Sequence, residues 1–316
     1  MKLRLLTIAA TISATLLFVG CQEDQIEPQN NDVEGRYEQE VFSAVVIDSA
    51  EYDTDEGLWM DIYHPSGDAS TNRRLVILGH GGAFVAGSRK NPLMVDYATR
   101  LAKHGYVVAT YDYRLAGGIN VMLDSLQSLN VVARAMSDAT NAIEFLISSA
   151  TSGNPFGLDP GNIVLGGNSA GAVLALHVGH MDESDSLSVG MSQVMTAQGG
   201  WASQWNPTSA GPIKAIISLA GGIHKTHWLN SYGPRLIMAH GTWDPVVPYS
   251  CGHVINNTQT ATILCGTAPL TSKSEALNLE NEALIFPEML HCPWNDSQAI
   301  NDQLFDYLVP ELNKAF

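Results

Sequence analysis

The sequence predicts an α/β domain with a mostly parallel central sheet and helices on both faces. Two observations carry this. Short apolar runs rich in β-branched residues (Leu75–Leu78, Asn162–Leu165, Ile213–Leu219, Leu236–Ala239) alternate with longer stretches of helical spacing. Strands separated by helical crossovers must run parallel. Leu75–Leu78 is also apolar at every residue rather than at every second one, so both of its faces are buried.

The elements follow in order. Val41–Asp48 and Leu58–Tyr63 read as a leading antiparallel pair, with turn residues Asp53–Gly57 between them. Leu75–Leu78 is the first doubly buried strand, and Leu93–His104 is a helix ended by Gly105. Tyr106–Tyr111 is the next strand. Val131–Ser149 has helical spacing and stops at the breakers Ser152-Gly153-Asn154-Pro155. Asp159-Pro160-Gly161 turns the chain into the strand Asn162–Leu165, and Ala172–Val178 reads as a helix. Ala283–Phe286 is a late strand and Asn295–Leu312 a terminal helix. Asp182–Gly211, rich in Ser, Gly, Gln, Met and Trp, shows no clear period. A loop of that length is usually functional, and it is expected to form a lid or pocket wall.

Composition narrows the function classes. The chain has 316 residues, 45% of them hydrophobic, so it affords a large core and is not globally disordered. Its formal net charge is −16. Such a surface repels nucleic acid and anionic membranes. Of the four cysteines, Cys251, Cys265 and Cys292 follow the N-terminal region. Cys251 could bridge Cys265 or Cys292, and either choice leaves an odd thiol.

At the N-terminus, Lys2 and Arg4 precede an apolar run from Leu5 to Val19. A positive segment before so short a run is a secretory signal, since a membrane span needs about 20 residues. Leu17-Phe18-Val19-Gly20-Cys21 resembles a bacterial lipoprotein lipobox, with Phe18 where leucine is usual. The resemblance implies an exported protein, cleaved after residue 20 and acylated on Cys21, held at a Gram-negative outer membrane or cell surface. Residues 21–37 are polar and acidic and read as a flexible tether. The catalytic domain is then 38–316, with 182–211 as a lid insertion.

The chemistry centres on Gly167-Asn168-Ser169-Ala170-Gly171, a turn between a buried strand and a helix. A turn this tight strains the serine backbone, and the flanking glycines remove side chains that would collide with the neighbouring strand and helix. The amide of Ala170 lies at a helix N-terminus, where donors are free and the dipole favours negative charge. A serine hydroxyl needs a base, an orienter for the base and donors for the oxyanion. The strand Leu75–Leu78 runs into His80-Gly81-Gly82-Ala83-Phe84. Asp244 lies in His240-Gly241-Thr242-Trp243-Asp244-Pro245-Val246-Val247-Pro248, after a strand. His291 follows the last strand and precedes the final helix. Of the ten histidines, His177 and His180 lie behind the serine. His224 and His227 have H-x-x-H spacing with no evident third metal ligand.

These motifs resemble α/β-hydrolases of the hormone-sensitive-lipase-like, carboxylesterase type, over about residues 40–316. The glycine turn is similar to that group's HGGG motif, with Ala83 in place of the third glycine. Tyr111-Asp112-Tyr113-Arg114-Leu115 is similar to its D-Y-R-L segment, whose Asp and Arg tie loops together. The resemblance implies an α/β-hydrolase fold and a serine esterase with nucleophile Ser169, acid Asp244 and base His291, in that chain order. It implies an oxyanion hole from the amides of Gly82, Ala83 and Ala170, and needs no cofactor or metal. His80 is expected to be structural. Phe84, Trp201 and Trp205 are candidate substrate contacts. The expected partner is an ester, small or borne on a polysaccharide. A prolyl-oligopeptidase-type peptidase shares such a triad but carries a propeller-sized region not seen in this sequence. A non-catalytic binding lipoprotein on a hydrolase scaffold is the other alternative.

Overall fold

Eight strands form one sheet in the order β1-β2-β4-β3-β5-β6-β7-β10. They are β1 Val45–Asp53, β2 Leu58–Pro65, β3 Arg73–Gly79, β4 Val107–Tyr111, β5 Leu158–Asn168, β6 Ile213–Leu219, β7 Arg235–Gly241 and β10 Asn281–Phe286. β1 and β2 pair antiparallel, as do β2 and β4, and every other pairing is parallel. The computed structural model describes residues 33–182, 185–187, 189–197 and 213–316. Cys21, the signal segment, Trp201, Trp205, most of the expected tether and much of the expected lid lie outside the described residues.

The doubly buried runs behave as their composition demands. Leu75 and Ile77 of β3 enter the core on one face of the sheet, and Val76 and Leu78 enter the core on the other. Leu236 and Met238 of β7 alternate with Ile237 and Ala239 in the same way. Helices α1 (Pro92–Lys103) and α6 (Gln298–Asn313) cover one face through Tyr97, Leu101, Phe305 and Leu308. Helices α2 (Ser125–Thr151) and α3 (Ala170–His180) cover the other through Met136, Ile143 and Leu174. The starts are capped as polar side chains dictate. Asn91 accepts from the amides of Leu93 and Met94, ahead of Pro92. Asp124 accepts from Leu126 and Gln127.

Four local expectations shift. β1 begins at Val45, not Val41, because the amides of Val41 and Phe42 donate to Lys103 O rather than to a strand. Helix α2 starts six residues earlier than its apolar spacing suggests, at the turn that Asp124 caps. The end of the expected tether is docked on the domain. Arg36 pairs with Asp68 at 2.7 Å, and the Tyr37 ring lies 4.6 Å from that of Tyr106. Within 182–211, Val189–Ala197 is a helix, α4, whose buried Met191, Val194 and Met195 stand at i, i+3 and i+4.

Between β7 and β10 the chain adds a hairpin, β8 (Cys251–His253) with β9 (Ile263–Cys265), and helix α5 (Thr267–Leu277). Cys251 and Cys265 face each other across the hairpin and are disulfide-bonded, while Cys292 is a buried free thiol. That resolves the pairing left open by the sequence. A bridge closing a loop of this length contributes about 3 kcal/mol. The Cys251→Ala/Cys265→Ala double variant is therefore expected to melt roughly 5–10 °C below the parent in calorimetry; an unchanged Tm would mean that the hairpin holds without its staple.

Candidate active site

The three candidate side chains come from the carboxyl ends of β5, β7 and β10, the edge where open α/β sheets bind ligands. Ser169 sits between the last residue of β5 and the first of α3, with φ 52° and ψ −113°. That left-handed conformation is costly for a residue with a Cβ. Glycines permit it. A Cβ on Gly167 would stand 2.4 Å from Gly79 O, and one on Gly171 would stand 2.1 Å from the same oxygen. Strand β3, strand β5 and helix α3 thus meet backbone to backbone behind the serine.

The Ser169 hydroxyl donates to His291 Nε2 at 2.8 Å, and His291 Nδ1–H donates to Asp244 Oδ2 at 2.6 Å. The carboxylate can only accept, which fixes the tautomer and leaves the Nε2 lone pair facing the serine. Asp244 Oδ1 accepts from the amides of Val246 at 2.8 Å and Val247 at 2.9 Å. Its side chain is fully buried. Burial opposes the charge, but hydrogen bonds from His240 and His291 outweigh it and pull the Asp244 pKa down to about 2.

His240, named in the sequence only as the start of the Asp244 segment, is a further partner of the carboxylate. Its Nε2 lies 3.2 Å from Asp244 Oδ2 and 3.0 Å from Val247 O, both acceptors, so Nε2 carries the hydrogen. Its Nδ1 then accepts from Thr267 Oγ1 at 3.0 Å. The i, i+4 spacing of His240 and Asp244 was the available signal. Asn168 is a second residue the sequence reading passed over. Its Oδ1 accepts from Trp294 Nε1 at 2.9 Å and from Cys292 Sγ at 3.3 Å. The elbow thereby pins the loop that carries His291.

The glycine turn after β3 supplies the candidate oxyanion donors. Gly82 has φ 124°, Ala83 52° and Phe84 60°. Ala83 accepts the positive φ that glycine would take freely. Among the described residues, the amides of Gly82, Ala83 and Ala170 donate no hydrogen bond, the state expected of donors kept for a ligand. Ala83, Ala170 and Ser169 line one cavity of about 50 Å³, walled by Phe84, Met122, Val132, Val173 and Val247. Gly82 lies in the same turn but does not line that cavity. His80 is structural. Its Nδ1–H donates to Gly81 O at 2.8 Å, and its ring stacks on Tyr113 at 4.1 Å. Asp112 binds Arg89 and Arg114 binds Glu56, ties between loops as expected of that segment, and Arg114 also binds the buried Asp138 of helix α2. Among the described residues, no three His, Cys, Asp or Glu side chains gather as metal ligands.

Residues 60–204, just under half of the chain, match the BD-FAE family model. No curated protein sequence matches. Among solved structures, esterase 2 of Thermogutta terrifontis with propionate bound is 20% identical. The match covers 84% of this chain and 92% of that one, with a TM-score of 0.60. The same enzyme phosphoramylated by tabun gives 19% identity over 84% and 92% of the two chains, with a TM-score of 0.61. At that identity the likeness speaks to fold. Strand order, elbow geometry and these matches give the chain an α/β-hydrolase fold.

Proposed function

We propose that the protein is an exported serine esterase that hydrolyses carboxylic esters through an acyl-enzyme. The observation that carries this is the continuous relay from Ser169 Oγ to His291 to Asp244, opening onto the cavity that Ala83 and Ala170 help to line. In the first step Ser169 Oγ attacks the ester carbonyl carbon while His291 Nε2 takes its proton. The carbonyl oxygen becomes an oxyanion facing the amides of Ala83 and Ala170, with Gly82 as a third donor. Asp244 keeps the His291 tautomer and stabilises its charged form. The tetrahedral intermediate then collapses, the alcohol leaves with the proton from His291, and water enters by the reverse sequence.

Substrate size follows from the asymmetry of the site. One water needs about 10–15 Å³ of such space, so the cavity of about 50 Å³ suits an acyl group of about two to four carbons. On the histidine side, Trp243 is 60% and Leu290 61% exposed. A bulky alcohol fits that open side, so the substrate class proposed is a short acyl ester, including acetyl groups on a polysaccharide. The lipobox-like segment adds a place of action: anchored through Cys21 and facing outward. Cys21→Ala is expected to move the protein from the membrane to the soluble fraction; retention in membranes contradicts the anchor.

Wild-type protein is expected to cleave p-nitrophenyl acetate and butyrate, to release acetate from acetylated xylan faster than ferulate from feruloylated xylan, and to leave aminoacyl amides uncut. Ser169→Ala should cost at least about 10⁴-fold in kcat and Asp244→Asn about 10⁴-fold. Turnover retained by Ser169→Ala sinks the mechanism, and amide cleavage matching ester cleavage indicates a peptidase.

The pH profile gives an independent check. With its pKa depressed to about 2, Asp244 stays ionised throughout the range from pH 4 upward. Loss of the carboxylate charge therefore adds no step to log kcat/KM above pH 4, and the acid limb is expected to have a slope no greater than one. A slope of two above pH 4 would mean that the carboxylate also titrates there.

A further inference from the structure

A second cavity adjoins the first. It measures about 560 Å³, against about 50 Å³ beside Ser169. Its walls are mixed, with Trp228, Leu129 and Met191 beside Asp124, Lys225 and His253. Among the described residues, only His224 and Thr262 line both cavities. These two side chains are joined, His224 Nε2 to Thr262 Oγ1 at 2.8 Å. They are the partition.

The partition belongs to a chain of hydrogen bonds whose direction is determined. His177 Nδ1 faces Val173 O at 2.7 Å and must donate to that carbonyl. Burial holds the His177 pKa down to about 4, so its Nε2 keeps a lone pair and accepts. His224 Nδ1 lies 2.7 Å from it and is the donor. His224 Nε2 therefore accepts, and the Thr262 hydroxyl donates to it. Burial, followed by the neighbouring His177 and Lys225, holds the His224 pKa well below its ordinary value. The chain runs from the backbone of α3, one turn behind Ser169, to a residue adjoining β9 in the disulfide-stapled hairpin. Both ends are held by rigid elements, and every polar atom along it is satisfied.

We propose that the His224–Thr262 hydrogen bond is the floor of the acyl cavity and sets the longest acyl group the enzyme accepts. The inference rests on the esterase reading above and names what limits it. An acyl chain bound to Ser169, with its oxygen at Ala83 and Ala170, extends between Phe84, Met122, Val132 and Val173 and stops at the His224 ring and the Thr262 side chain. A longer chain must break the pair, which leaves a buried His224 Nε2 without its donor. Past that point there is ample room. Removing the floor should thus lengthen the accepted chain rather than abolish catalysis.

The test is the chain-length profile of kcat/KM on p-nitrophenyl acetate, butyrate, hexanoate and octanoate. Wild type is expected to fall at least about tenfold between butyrate and hexanoate. Thr262→Ser keeps the hydroxyl and should retain that profile. Thr262→Ala and Thr262→Gly remove donor and bulk, and each should raise the octanoate-to-acetate ratio at least about tenfold. Melting temperatures verify that the variants are folded, and a purely structural role would depress all four esters together, leaving the ratio unchanged. Unchanged ratios in both folded variants overturn the inference while the esterase reading stands, as does wild-type cleavage of octanoate as readily as acetate. Wild type that cleaves no ester and whose Ser169 resists a fluorophosphonate probe overturns the esterase reading, and the inference with it.

Discussion

The placing of Ser169, and of the groups held against it, depends on three glycine backbones meeting behind the serine. Gly79 ends β3, Gly167 is the penultimate residue of β5, and Gly171 lies in the first turn of α3. A Cβ added at Gly167 or Gly171 would fall within 2.4 Å of Gly79 O. Such contacts do not occur between real Cβ atoms and carbonyl oxygens. Without the glycines the strand and helix would stand apart, and Ser169 would relax from its φ of 52°. The strained conformation costs of order 1–3 kcal/mol. It persists because β5 is paired on both sides, to β3 and β6, and α3 is buried along nearly its whole length. The hydroxyl is held out of the sheet by the packing around it.

The same point of contact organises the other groups. Gly81 of the oxyanion turn sits against Asn168, where a Cβ would approach its amide nitrogen to 3.1 Å. The Asn168 oxygen in turn receives the Trp294 indole and the Cys292 thiol, which flank His291 on its loop. Ser169, His291 and the glycine turn after β3 are therefore all referenced to residues 167–171. Asp244 is referenced differently. It is fixed by its own loop, through the amides of Val246 and Val247, and by His240 at the end of β7.

How much of this could be read in advance follows from where the information lies. The elbow, the glycine turn and the Asp244 segment are contiguous, and their chemistry is written in residue type at fixed spacing. The doubly buried strands are legible because burial on both faces demands unbroken apolar runs. Helix α5 left no such trace: the residues it buries are Thr267, Leu270 and Ser274, two of them polar. Helix α4 does have its apolar residues at i, i+3 and i+4, but Ser, Gln and Gly around them hide the period. Asn168 was visible as a residue and unreadable as a partner, since only the fold brings Cys292 and Trp294 near it, whereas the four-residue spacing of His240 and Asp244 did stand in the sequence. The Cys251–Cys265 pairing was one of two choices until β8 and β9 put the two residues directly opposite each other.

The loop after β7 then separates chemistry from selectivity. Val246 and Val247 do both jobs, since their amides hold Asp244 and both residues line the cavity beside Ser169. A change there disturbs the carboxylate along with the pocket. Val254, Thr262 and Leu264 line the same cavity from the hairpin beyond, and none of them touches the relay. Ile255 and Asn256, between the two strands of the hairpin, are tied to the Asp244 loop, their amides donating to Val246 O and Pro245 O. On the esterase reading, acyl preference is therefore freest to vary at Val254, Thr262 and Leu264, while Ser169 stays fixed by the elbow and Asp244 by its own loop and the end of β7.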